Sequence, residues 1–106
     1  MWYVNGQNLK MCEGDFGIEL PVTIKDATFG EDDEVKLTIK DAEDGETIIE
    51  KTYSDITDNT FALVLTEAES ELLPVGKYVY VMDWYESGTF MCNIITSADL
   101  RVVDKS

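Results

Sequence analysis

The side chains able to do chemistry in this chain are mostly of one kind. It has no His among 106 residues, and 22 Asp and Glu against 8 Lys and Arg, for a net charge of -14. Without His, the commonest general base and the usual partner of a Ser or Cys nucleophile are gone. The carboxylates concentrate in "GEDDE" (30–34) and "DAEDGE" (41–46). Paired carboxylates do acid–base work when burial separates their pKa values, and polar turns supply nothing to desolvate them. Clustered oxygens could instead hold calcium, but "DAEDGE" departs from an EF-hand: Gly45 stands at the fifth ligand position and no Glu at the twelfth. No GxSxG, phosphate-loop or dinucleotide motif occurs, and "GKY" (76–78) lacks the upstream Gly spacing and the Ser or Thr that a phosphate loop needs. These residues lead us to expect a protein that is not an enzyme, with no cofactor or metal site assigned.

The remaining reactive groups are Cys12 and Cys92, set in the apolar contexts "LKMC" and "FMCNII". Such thiols are expected as small buried hydrophobes, with an inter-strand disulfide as the alternative in an oxidising setting. Two Cys without His cannot complete an ordinary structural zinc site. The acidic balance opposes nucleic acid, whose binding rests on phosphate neutralisation by Lys and Arg, and opposes an anionic membrane surface. No apolar run approaches the roughly 20 residues that span a bilayer. A basic protein neighbour or a divalent cation suits the charge better. The start "MWYVNGQNLKM" lacks the basic and apolar regions of a signal peptide, so synthesis and use in a cytoplasm are expected.

The elements that must position these groups read as strands, on a single domain spanning 1–106. In "FGIELPVTIK" (16–25) the residues Phe16, Ile18, Leu20, Val22 and Ile24 share one face, the alternation of a half-buried strand. Pro21 cannot donate to a ladder and predicts an edge or a bulge. Val35, Leu37 and Ile39 repeat the pattern, as do Phe61, Leu63 and Leu65; "TIIEKTY" (47–53) is β-branched but carries adjacent Ile48 and Ile49. Turns fall at "NG" (5–6), "FGEDDE" (29–34), "DAEDGE" (41–46), "SDITDN" (54–59) and "SG" (87–88), the spacing of an antiparallel sandwich or barrel. One segment breaks the period. Thr66 followed by Glu69 has capping-box spacing, and Pro74 with Gly76 ends the run, which predicts a short helix at about 67–72.

A short helical crossover followed by Gly76 and Tyr78 is how a Greek-key sandwich turns into a strand that opens with a corner tyrosine. With Tyr78 as that corner, Tyr78, Tyr80, Met82 and Trp84 point inward, and Val79, Val81, Asp83 and Tyr85 point outward. That outer face is apolar enough to need a cover, either from an adjoining strand or terminus or from a partner. Trp2 and Tyr3 extend the question to the N-terminus, which either folds back as a hairpin about Asn5 and Gly6 or adds a strand to a neighbour. Val79, Val81, Tyr85, Trp2 and Tyr3 are therefore the candidate interface. A ligand-binding module is the competing class, with Trp84, Tyr85 and Trp2 beside the acidic turns taking carbohydrate or calcium.

The stretches "NLKMCEGD" (8–15), "LTEAESELLPVGKYVYVMDW" (65–84) and the closing "ITSADLRVVDK" resemble the Ig-like N-terminal domain of bacteriophage baseplate upper proteins and related phage and prophage minor structural proteins. Gly14 and Asp15 match the "GD" before the first long strand; Gly76, Tyr78 and Tyr80 match "G-x-Y-x-Y"; and Leu73 matches the crossover Leu. The sequence departs at Cys12, where Thr is frequent, at Ser70 in place of Thr, and at Asp83, displaced from the Asp that follows the second Tyr. The resemblance implies an Ig-like antiparallel β-sandwich of about seven strands. It further implies a structural or attachment role in a virion, in contact with copies of itself or other tail proteins, with corner and core roles for the matched residues.

Overall fold

The computed structural model describes residues 2–24, 29–30, 32–42, 45–54, 56–57 and 59–104. Among these residues, eight strands and one short helix follow in order: β1 (Tyr3–Asn5), β2 (Asn8–Cys12), β3 (Leu20–Thr23), β4 (Asp33–Lys40), β5 (Thr47–Tyr53), β6 (Thr60–Leu63), α1 (Glu67–Glu71), β7 (Gly76–Glu86) and β8 (Thr89–Val103). They form a large sheet of order β1-β2-β8-β7-β4-β5 facing a small sheet of β3 and β6. The chain therefore leaves the large sheet for β3, returns for β4 and β5, and leaves again for β6. That alternation, closed by the first strands lying against the last, is an immunoglobulin-like β-sandwich. One ladder departs from the antiparallel expectation: β2 runs parallel to β8, pairing Leu9 with Leu100 and Met11 with Val102, so the large sheet is mixed. Two strands at opposite ends of the sequence can lie side by side without a hairpin, and no local pattern announces their direction.

Alternation decides the core. Val35, Leu37 and Ile39 of β4 are 0%, 1% and 2% exposed, and they face Phe61, Leu63 and Leu65 from the small-sheet side, all buried. The same period puts Leu9 and Met11, Tyr80 and Met82, and Leu100 and Val102 into the interior. Pro21 sits in β3, whose only ladder among the described residues is with β6. The Ile24 N–H donates to the Asn59 carbonyl at 2.8 Å, and because bonded pairs alternate along an antiparallel ladder, Pro21 turns its nitrogen toward the free edge.

The expected strand over 16–25 is shorter than its alternation suggests. β3 covers Leu20–Thr23 alone, Lys25 lies outside the described residues, and Phe16 and Ile18 are 49% and 42% exposed. Gly14 and Gly17 take positive φ, 84° and 71°, a conformation a strand excludes and glycine adopts freely. The loop they shape crosses between the sheets, held where the Gly17 N–H donates to the Leu65 carbonyl at 2.9 Å. Two turns follow their sequence signals. β1 and β2 form a hairpin within the chain, with Gly6 (φ 64°) at the first central position. Ser87 (φ 50°) and Gly88 (φ 84°) close β7 onto β8 with the two positive φ values of a type I′ turn. β8 is longer than its partner by bulges between Tyr80 and Met82, Met82 and Asp83, and Trp84 and Tyr85.

The crossover is tied at both ends. Thr66 caps α1 and Glu69 completes the capping box, with the Thr66 N–H donating to Glu69 Oε1 at 2.8 Å and the Glu69 N–H to Thr66 Oγ1 at 3.2 Å. The same Glu69 oxygen accepts from Lys51 Nζ at 2.9 Å, and Lys51 also donates to the Val64 carbonyl at 2.7 Å. At the far end the Tyr78 hydroxyl donates to the Pro74 carbonyl at 2.6 Å, which makes Tyr78 the corner tyrosine. Burial raises its phenol above the ordinary value, with the nearby Glu13 carboxylate adding to the effect.

Candidate interaction surface

β7 supplies the middle of the surface, because its odd residues point away from the small sheet. Tyr80 and Met82 are buried, while Val79, Val81, Asp83 and Tyr85 are half-buried on the outer side. Their cover comes from neighbouring strands of the same sheet. Val81 stands opposite Thr38 and Val79 opposite Lys40. Asp83 accepts from the Asn93 side-chain amide. Tyr85 meets Phe90 edge-on, centroids 5.7 Å apart, and Lys36 Nζ lies 5.7 Å from its ring centroid. Lys36 also pairs with Glu50 at 3.2 Å, and this hydrogen-bonded carboxylate raises the Lys36 pKa despite some opposing burial. The outer stripe is therefore apolar at its centre and bordered by charge, with about the makeup of a transient protein contact.

The other sequence candidates take distinct positions. Tyr3 is 48% exposed at the sheet margin, with Lys10 Nζ 5.5 Å from its ring centroid. Trp2 packs partly buried against the core, and its indole N–H donates to the Ile18 carbonyl at 3.0 Å. Gly76 opens β7. Tyr80 has a second role beside its core position: its hydroxyl donates to the Gln7 carbonyl and fastens the β1–β2 hairpin to the sheet. Burial pushes the Tyr80 phenol up to about 12. Trp84 faces inward against Phe29, centroids 4.8 Å apart, and its indole N–H is buried without a hydrogen-bond partner among the described residues. Trp84 and Tyr85 thus lie on opposite faces and Trp2 elsewhere, so the three aromatics do not assemble into one platform.

The acidic turns are used structurally where the structure describes them. Asp33 is buried and its Oδ2 accepts the Gly30 N–H at 2.7 Å; Asp41 Oδ1 accepts the Glu46 N–H at 3.0 Å. Glu31, Glu43, Asp44, Asp55 and Asp58, which belong to those turns, lie outside the described residues. Among the described residues no group of three or more His, Cys, Asp or Glu is arranged to hold a metal ion. Both cysteines are free thiols, Cys12 half-buried and Cys92 exposed. The burial expected of Cys92 fails because it sits on the part of β8 where bulges break the alternation, among exposed residues that include Phe90 (50%) and Met91 (45%).

What composition hides is where the cations lie. Lys10, Lys36, Lys40, Lys77 and Arg101, out of 8 Lys and Arg in the chain, project from the outer face of the large sheet. The carboxylates beside them on that face are Glu34, Glu50, Asp83 and Asp99, out of 22. One face of a strongly acidic chain is thus close to electrically balanced. A hollow of about 400 Å³ also opens between the sheets at the free edge of β3, floored by Leu20, Val22, Tyr80 and Ile95.

No family model and no curated protein matches the chain. A solved structure similar to it comes from work on parallel homodimers of the extracellular domains of the voltage-gated sodium channel β4 subunit and their role in cell–cell adhesion. It is 15% identical over 94% of this chain and 92% of that one, with a TM-score of 0.45.

Proposed function

We propose that this protein is a non-enzymatic structural module of the phage or prophage tail and baseplate type, made in a bacterial cytoplasm and working in the virion through protein–protein contacts with copies of itself or other tail proteins. The observation that carries the contact reading is the outer face of the large sheet, where Val79, Val81 and Tyr85 lie half-buried amid balanced charge while the rest of the chain is strongly acidic. A modest apolar centre inside a rim of balanced charge suits a protein partner. The virion reading rests on the resemblance over 8–15, 65–84 and the closing "ITSADLRVVDK". The positions matched there, Gly14, Asp15, Leu73, Gly76, Tyr78 and Tyr80, lie in the β2–β3 loop, the crossover and the tyrosine corner, so they speak for scaffold, and the contact has to be sought on the outer residues of the sheet.

Light scattering across a concentration series, with and without millimolar calcium, tests this. Association is expected to rise with concentration and to ignore calcium. Val81→Asp is expected to leave the far-ultraviolet spectrum and thermal midpoint near those of the parent while weakening association about tenfold or more. Unfolding of Val81→Asp, or association unchanged by it, refutes the assignment of the contact to the centre of this face.

A further inference from the structure

The β1, β2, β8 and β7 registers put Tyr3 opposite Lys10, Lys10 opposite Arg101, and Arg101 opposite Lys77. Three cations therefore stand in one transverse row on the adjacent strands β2, β8 and β7, with Tyr3 of β1 at its end, and with strands about 4.8 Å apart they fall within roughly 10 Å. Like charges directly opposite each other destabilise a sheet. None of the three has a carboxylate at ion-pairing distance among the described residues, although Asp99 joins Tyr3, Lys10, Lys77 and Arg101 in lining a second hollow, of about 420 Å³, on this side of the sheet.

We infer that this row is an anion-receiving contact, and that its occupant is the α1 corner of a second copy of the chain. The inference rests on the protein-contact reading of the same face and adds the partner and the direction of contact. Glu67 and Glu71 are both exposed on α1 and stand four residues apart, hence side by side about 6 Å apart, with no basic residue in the last turn to pair with them. Beside them Leu72 and Val75 are 53% and 51% exposed, among the barest large apolar side chains described. An acidic pair flanked by two apolar side chains matches a cationic row flanked by Tyr3 and the half-buried Val79 in both charge and character. A polyphosphate would run beyond the row onto acidic surface, whereas a short acidic corner meets the row alone, within the roughly 8 Å over which charges are felt at physiological salt.

The two patches face different ways. The row points away from the small sheet, while α1 caps the sandwich between β6 and β7 with Ser70 and Leu73 turned into the interior. A contact between unlike patches is heterologous, so it repeats from copy to copy until a ring closes or a filament grows. An interface of standard size covers about 800 Å² per partner, enough to extend from Lys77 to Val81, which are four strand residues or about 14 Å apart.

A charge swap tests it. The variant K10E/R101E makes the row acidic, and E67K/E71K makes the corner basic. All four positions are exposed, so both variants are expected to fold, which circular dichroism checks. Each alone should associate at least tenfold more weakly than the parent. Mixed together they should recover it, because the row of the second receives the corner of the first; both remain net negative, so bulk attraction cannot produce the recovery. A parent that associates and responds to Val81→Asp but ignores both reversals overturns the row–corner contact and leaves the contact reading of the sheet face standing. A parent that stays monomeric throughout overturns the second-copy assignment. Reversals that act while Val81→Asp is silent support the row and count against the centre of the face.

Discussion

Lys51 points into the sandwich from β5, on the same side as Ile49 and Tyr53, where an apolar residue is the ordinary occupant. Its ammonium reaches the Val64 carbonyl at 2.7 Å and Glu69 Oε1 at 2.9 Å, and its Nζ lies 5.6 Å from the Tyr53 ring centroid. The Lys51 and Glu69 side chains are 18% and 22% exposed. Hydrogen bonds to charged groups contribute about 1.5–3 kcal/mol and fully exposed ion pairs about 0–1. At this partial exposure the Lys51–Glu69 coupling should be about 1–1.5 kcal/mol. Lys51→Met should cost about 2 kcal/mol in all, since the Val64 carbonyl then keeps only the Tyr53 hydroxyl at 3.3 Å; for a domain this size that lowers the melting temperature by roughly 8 °C. Urea denaturation of the parent, Lys51→Met, Glu69→Gln and the double variant closes a thermodynamic cycle, and Gln at this position can still complete the capping box. The pH dependence has a definite sign. Burial works against the Glu69 carboxylate, but the Lys51 hydrogen bond and the Thr66 N–H outweigh it and hold its pKa below the ordinary 4.5. A lowered folded-state pKa means stability present above the ordinary value and lost as pH falls through the folded one. The deficit of Lys51→Met should therefore shrink in acid. A coupling below about 0.3 kcal/mol, or a deficit unchanged by acid, would refute the view that this pair fastens the crossover.

Tyr78→Phe removes the 2.6 Å bond to the Pro74 carbonyl and should destabilise by about 1–2 kcal/mol in the same denaturation assay; a silent substitution would show that the corner is held by packing alone. At the alkaline end, burial pushes Tyr53 and Tyr80 up to about 12. Their raised values mean that this stability is fully present below the ordinary 10.0 and lost as pH rises through about 12. The denaturation midpoint should fall across that window, and Tyr80→Phe should flatten part of the fall; an equal fall in the variant would exclude Tyr80 as a source.

The parts of this structure legible in the sequence are those fixed by short-range physics. The period of two in 34–40 gave the buried side of β4, the Thr66 and Glu69 spacing gave α1, and the "NG" and "SG" pairs marked two hairpins. The facing of β7 followed from taking Tyr78 as the corner. Legibility failed where backbone geometry or strand order intervened. Phe16 and Ile18 continue an apolar alternation that the positive φ of Gly14 and Gly17 breaks, and period alone cannot distinguish a strand from a loop that happens to alternate. In β8 each bulge exchanges the two faces, so the pattern of "TFMCNIITSADL" has no constant inside. Lys51 shares its parity with Ile49 and Tyr53, but the adjacent Ile48 leaves the facing of "TIIEKTY" undecided without the β4 register.

The cation row is illegible for a deeper reason. Lys10, Lys77 and Arg101 are separated by most of the chain, and each alone reads as an ordinary solvated strand residue. They meet because β2 lies parallel to β8 while β7 lies antiparallel on its other side. A charge of -14 suggests a chain that seeks cations from outside, and composition averages over surfaces that topology keeps apart. Once the strands are ordered, five of the eight cations that composition counts as a minority lie on one face. The acid left elsewhere includes an exposed pair beside bare apolar side chains on α1. A surface so divided carries both halves of an attraction on one chain, and mixing the two charge-swapped variants asks whether those halves belong to each other.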